Sequence, residues 1–85
     1  MKICLFFQFR IVESNEKIFI INFGKRLKDL RLERGLSQEM LANDINIPIN
    51  QIGRIERAEI ATSIVTAYKL AKTLELSLED LFKDL

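Results

Sequence analysis

Eighty-five residues suit one domain, and 48% apolar with 29% charged residues is the balance of a chain that folds around a small core. A single cysteine, Cys4, excludes an intrachain disulfide, and the absence of histidine excludes imidazole catalysis and a zinc cluster; both fit a reducing cytoplasm. The net charge of +1 is unevenly spread: residues 23–57 carry seven basic against five acidic side chains, residues 58–85 three against five, so the front half is the better match for phosphate.

The chain divides into an N-terminal extension, residues 1–21, and a helical domain, residues 22–85. The extension is rich in Phe, Ile and Val and holds Phe6, Phe7, Phe9 and Phe19, four of the six phenylalanines. Its apolar stretch Ile3-Cys4-Leu5-Phe6-Phe7 is broken by Gln8 and Arg10, far short of a membrane span. No small-residue cleavage site follows, so a secretory signal is not expected. The composition favours strands over residues 2–12 and 17–21, joined at the polar turn Glu13-Ser14-Asn15-Glu16. Unpaired, such strands are sticky, which suggests pairing across a dimer. The alternative is an early start to the first helix, with Ser14 or Asn15 as cap and Phe19 and Phe23 on one face.

From there the elements are helical. A first helix is expected over about residues 23–34, capped by Asn22, with Phe23, Leu27 and Leu30 as its buried stripe and Gly35 as its left-handed stop. Ser37 caps a second helix over about residues 38–45, with Leu41, Ala42 and Ile45 inward. Asn46 tolerates a left-handed joint. Pro48 opens a third helix, with Ile52 and Ile55 inward. A fourth begins after Ser63 with Ile64, Ala67, Leu70, Ala71 and Leu74 inward, and Ser77 with Asp80 caps a fifth carrying Leu78, Leu81 and Phe82. The fold class is therefore all-α, five helices, preceded by a short β-hairpin or strand.

The second and third helices are too short to bury much by themselves. Held by their neighbours, they present Gln38, Asn50, Gln51, Arg54 and Arg57 as long or forked polar groups. Two short helices about a tight joint are a helix-turn-helix, a device that places its second helix in a DNA groove.

FGKRLKDLR, GLSQEMLA, QIGRIER, TAYKLAKTL and SLEDLF, in that order, closely resemble the phage repressor/Cro-type helix-turn-helix family, also called the xenobiotic-response-element regulators, over about 60 residues. The resemblance implies a five-helix domain that binds double-stranded DNA as a homodimer on an inverted repeat and regulates transcription. It places base contacts at Ile49, Asn50 and Arg54, and phosphate contacts at Ser37, Gln38, Gln51, Arg57 and Lys28. It makes Arg31 and Glu56 a structural salt bridge between the first and third helices. The chemistry is consistent: Asn pairs with adenine, Arg with guanine or phosphate, and Ile packs on a thymine methyl. Ile49 has a second reading, as a residue packing back on the preceding helix, and Lys28 a second reading as ordinary surface.

The sequence departs from the family at Asn46, Ala58 and Glu75, where Gly is common, and at Gly53, where Ser is common. Ala67 replaces a larger apolar residue and leaves room for Phe82 or for phenylalanines of the extension. Glu59 stands where a basic residue is common and would repel a nearby phosphate. No cofactor, metal or membrane partner is implied, and no enzyme: Cys4 has no visible base. A competing function is a protein-interaction module, such as an antitoxin or a restriction-linked partner, that keeps the fold with weak DNA binding.

Overall fold

A computed structural model describes the backbone of residues 2–85 and the side chains of residues 15–85. It has five helices: α1 (Lys2–Glu33), α2 (Gln38–Asp44), α3 (Ile49–Glu56), α4 (Ile64–Thr73) and α5 (Leu78–Leu81). Among the described residues none is long and apolar enough to cross a membrane.

The strands expected at residues 2–12 and 17–21 are not formed. One helix, α1, runs through both and onward to Glu33, so Asn22 lies inside it and caps nothing. The alternative of an early helix comes nearer. The β-branched Ile18, Ile20 and Ile21 each give up only a few tenths of a kcal/mol as helix formers. Against that, Phe23 is buried and Phe19 and Phe23 both stack on Phe82, at centroid separations of 6.1 and 5.4 Å. Aromatic burial outweighs the propensity loss. The fate of the phenylalanines at positions 6, 7 and 9 lies outside the described side chains.

The core is the predicted stripe of each helix: Phe23, Leu27 and Leu30 from α1; Leu41, Ala42 and Ile45 from α2 and its cap; Ile52 and Ile55 from α3; Ala67, Leu70, Ala71 and Leu74 from α4 and its cap; Leu81 from α5. Each buried Leu or Ile contributes roughly 1.5–3 kcal/mol. Ile64 is the exception. It is 70% exposed, because it opens α4 and no preceding turn exists for its side chain to lie on.

The helix ends are built from the sequence signals. Ser37, Ser63 and Ser77 each accept the backbone N–H three residues on, from Met40, Thr66 and Asp80, at 3.0–3.1 Å. The first four helices close alike. Gly35, Asn46, Ala58 and Glu75 take φ of 59–67°. The next residue's N–H then reaches back five positions: Leu36 to the Arg31 carbonyl, Ile47 to Ala42, Glu59 to Arg54 and Leu76 to Ala71. In three of the four closures that next residue is apolar and packs on the core (Leu36, Ile47, Leu76); in the closure of α3 it is Glu59. Two arginines of α1 finish other helix ends. Arg26 donates to the carbonyls of Asp80 and Leu81, and Arg34 to that of Leu74.

Candidate DNA interface

The turn at Asn46 sets α3 against α2, and the burial of Ile52 and Ile55 leaves the rest of α3 outward. Ile49, Asn50 and Arg54 are exposed and Gln51 is half-buried. Ile49 is 51% exposed, which removes the reading that it packs back on α2. The three residues expected to read bases thus share the solvent side of one short helix. Lys28 is exposed on α1.

The orientation of α3 rests on one carboxylate. Arg31 from α1 donates through Nε to Glu56 Oε2 at 2.7 Å and through Nη2 to Oε1 at 3.1 Å, with the two side chains only 8% and 4% exposed. Arg31 Nη1 also donates to the Leu36 carbonyl at 2.8 Å. Gln38 Nε2, from the first turn of α2, donates to Glu56 Oε1 at 3.0 Å. Glu56 therefore joins α1, α2 and α3. A forked, charge-assisted pair with both oxygens bonded is the geometry in which a buried ion pair is tolerated. One N–H of Gln38 is committed to Glu56, which leaves its second able to donate elsewhere. Ser37 Oγ caps α2 through its lone pair, so its proton is still available.

Gly53 is buried between these groups. A Cβ there would lie 2.9 Å from Arg57 Nη1 and 3.2 Å from Gln38 Oε1, so the missing side chain is what lets Arg57 lie back across α3 beside Gln38. Gly24 has a parallel role on α1. A Cβ on it would meet the Ile55 and Glu56 carbonyl oxygens at 2.6 and 2.7 Å, which marks the closest approach of α1 to α3. Because α1 begins at Lys2, Gly24 lies well inside the helix, where a glycine costs stability unless something needs the space.

The electrostatics are less positive than the composition suggests. Of the seven basic residues in 23–57, Arg26, Arg31 and Arg34 are used inside the fold. Arg57 Nε donates to Glu59 Oε2 at 2.7 Å, and Arg54 Nε lies 3.6 Å from Glu59 Oε1. The hydrogen bond from Arg57 holds the Glu59 carboxyl below its ordinary value, and the same bond raises the Arg57 guanidinium. Glu59 thus binds two of the arginines expected to meet DNA, a role beyond the repulsion its charge predicts.

An apolar groove of about 660 Å³ lies away from this surface. Its walls are Phe19, Ile20, Phe23, Ile60, Ala67 and Phe82. The small Ala67 leaves the room, and phenylalanines of α1 and α5 line it.

A solvent-exposed polar edge on the second of two short helices, both fixed by a buried ion pair, defines a helix-turn-helix DNA-binding fold. Residues 27–81 match the helix-turn-helix family HTH_3, and the chain belongs to that family. It is 36% identical over 61 residues to the HTH-type transcriptional regulator PuuR of Escherichia coli, covering 72% of this chain and 33% of PuuR; the chain thus spans about a third of that relative. It is 36% identical over 66 residues to the control protein C.MunI of a Mycoplasma species, covering 76% of this chain and 89% of that one. The restriction-modification controller C.AhdI of Aeromonas hydrophila superposes with a TM-score of 0.71 at 37% identity, over 73% of this chain and 94% of C.AhdI. These relatives are regulators rather than enzymes, in keeping with the class expected of the sequence.

Proposed function

We propose that this chain is a sequence-specific regulator of transcription that binds double-stranded DNA as a homodimer, with one α3 in each of two successive major grooves of an inverted repeat. The observation that carries this is the exposed edge Ile49, Asn50 and Arg54 on a helix whose other face is buried and whose pitch is fixed through Glu56. Ile49, Asn50 and Arg54 read base edges. Ser37, Gln38, Gln51, Arg57 and Lys28 hold phosphates and set the register. The likeness to the restriction-modification controller C.AhdI supports a restriction-modification controller as the biological setting, acting in the cytoplasm.

A second copy of the chain is the partner that covers the exposed apolar residues Ile18 and Phe19 of α1 and Ile64, Val65 and Tyr68 of α4. Leu81 of α5 is fully buried in its own core and takes no part. The N-terminal extension enters this dimer as helix, not as strand.

The test begins with a duplex selected from a random library. Gln38→Ala weakens binding to the selected and to a scrambled duplex by similar factors, in fluorescence anisotropy at fixed salt. Asn50→Ala weakens the selected duplex alone, by about tenfold or more, the cost of a lost bidentate base contact. Equal losses for both variants on both duplexes would refute the division of roles. Sedimentation with a full palindrome gives two chains per duplex, and a one-to-one complex refutes the dimer.

The competing reading, a protein-interaction module with weak DNA affinity, is favoured by one observation, the neutralisation of Arg57 and Arg54 by Glu59. Failure of the natural chain to bind any duplex at low salt would make it the better account.

A further inference from the structure

We propose that Glu59 is a built-in competitor for DNA: in the free chain its carboxylate takes the place of the phosphate on Arg57 and lies beside the base-reading Arg54, and DNA must displace it. This rests on the DNA-binding reading of α3. The two oxygens of Glu59 are divided between two guanidiniums, Oε2 at 2.7 Å from Arg57 Nε and Oε1 at 3.6 Å from Arg54 Nε. The first is a charge-assisted hydrogen bond of the kind an arginine makes with a phosphate oxygen, and the second is an ion pair.

The backbone delivers Glu59 to this position. Ala58 turns left-handed at φ 61°, and the Glu59 N–H bonds the Arg54 carbonyl at 2.8 Å, which closes α3 and points the next side chain back along it. At the equivalent place after α1, α2 and α4 the chain puts Leu36, Ile47 and Leu76, each packed on the core. Glu59 has no such packing role and is 46% exposed. Its side chain acts through the arginines, as a positioning residue that sets how much affinity the phosphate contacts deliver.

The experiment compares the natural chain with Glu59→Gln on a 20-base-pair duplex of scrambled sequence, since phosphate contacts are indifferent to sequence. Glu59→Gln tightens binding about two- to fivefold per chain, the range of an exposed ion pair, entering twice in a two-chain complex. The plot of log affinity against log salt steepens by about 1 per chain, as one more phosphate is engaged. The gain disappears in an Arg54→Ala, Arg57→Ala background. Thermal unfolding is unchanged, because the backbone bond from residue 59 survives the substitution.

Equal affinity and equal salt slope would overturn the proposal. So would a gain that persists without the two arginines, which marks plain repulsion of DNA by the carboxylate. A natural chain that binds no duplex while Glu59→Gln binds supports the masking and overturns the DNA-binding reading of the natural chain. Silence from both proteins overturns both.

Discussion

Gly24→Ala is the substitution on which helix propensity and packing disagree most sharply. In mid-helix, Ala is favoured over Gly by about 0.8–1.0 kcal/mol, so a reading of α1 alone gives a more stable protein. The fold says otherwise. The added methyl would lie 2.6 Å from the Ile55 oxygen, 2.7 Å from the Glu56 oxygen and 3.1 Å from the Glu56 carbonyl carbon. All three are backbone atoms in the last turn of α3, and the Ile55 oxygen already accepts the Ala58 N–H at 3.0 Å. No side chain can rotate out of the way, so α3 must retreat from α1. Overpacking relieved by backbone movement costs about 1–3 kcal/mol or more. The retreat also stretches the Arg31–Glu56 pair, whose full loss costs about 3–5 kcal/mol. The net expectation is destabilisation by about 1–3 kcal/mol, which for a domain of this size lowers Tm by roughly 4–8 °C per kcal/mol. Urea unfolding followed by circular dichroism measures it, with the slope m unchanged. A Gly24→Ala chain as stable as the natural one would refute the close contact of α1 with α3.

Two further substitutions test the network and the helix ends. Arg31→Met leaves Glu56 as an unpaired buried carboxylate and costs about 3–5 kcal/mol in guanidinium unfolding, while adding Glu56→Met recovers most of it; a single-variant loss below about 1 kcal/mol would show that the pair is not buried in solution. Glu75→Gly relieves a left-handed residue at φ 61° and raises stability by about 0.5–1 kcal/mol, the backbone strain removed less the flexibility added to the unfolded chain; a fall in Tm would show that this closure is unstrained.

Features written in consecutive residues were legible. Ser37, Ser63 and Ser77 before apolar runs gave three helix starts, and Gly35 and Asn46 gave two left-handed stops, while those at Ala58 and Glu75 were marked only by comparison with the resembled family. The core followed from apolar spacing, except at Ile64, where spacing cannot report that a helix's first residue has no turn to pack on. The extension misled because its propensity is real but small, and Phe82, 63 residues after Phe19, decided the outcome. Partners between elements were the least legible. That Gln38 donates to Glu56 and that Arg26 and Arg34 finish α5 and α4 depend on where helices meet.

The same contacts show why so short a helix can serve as a reading head. α3 has eight residues, and its buried stripe, Ile52 and Ile55, fixes its depth against the core but leaves it free to rock about that stripe. One steric and two polar constraints remove the freedom. Gly24 sets the distance to α1, Arg31 holds Glu56 from the α1 side, and Gln38 holds the same carboxylate from the α2 side. Two of the three come from α1, the helix that also carries the N-terminal extension. Readout of bases would demand placement within a fraction of an ångström, and these contacts fix the helix that carries Asn50 and Arg54 against both α1 and α2.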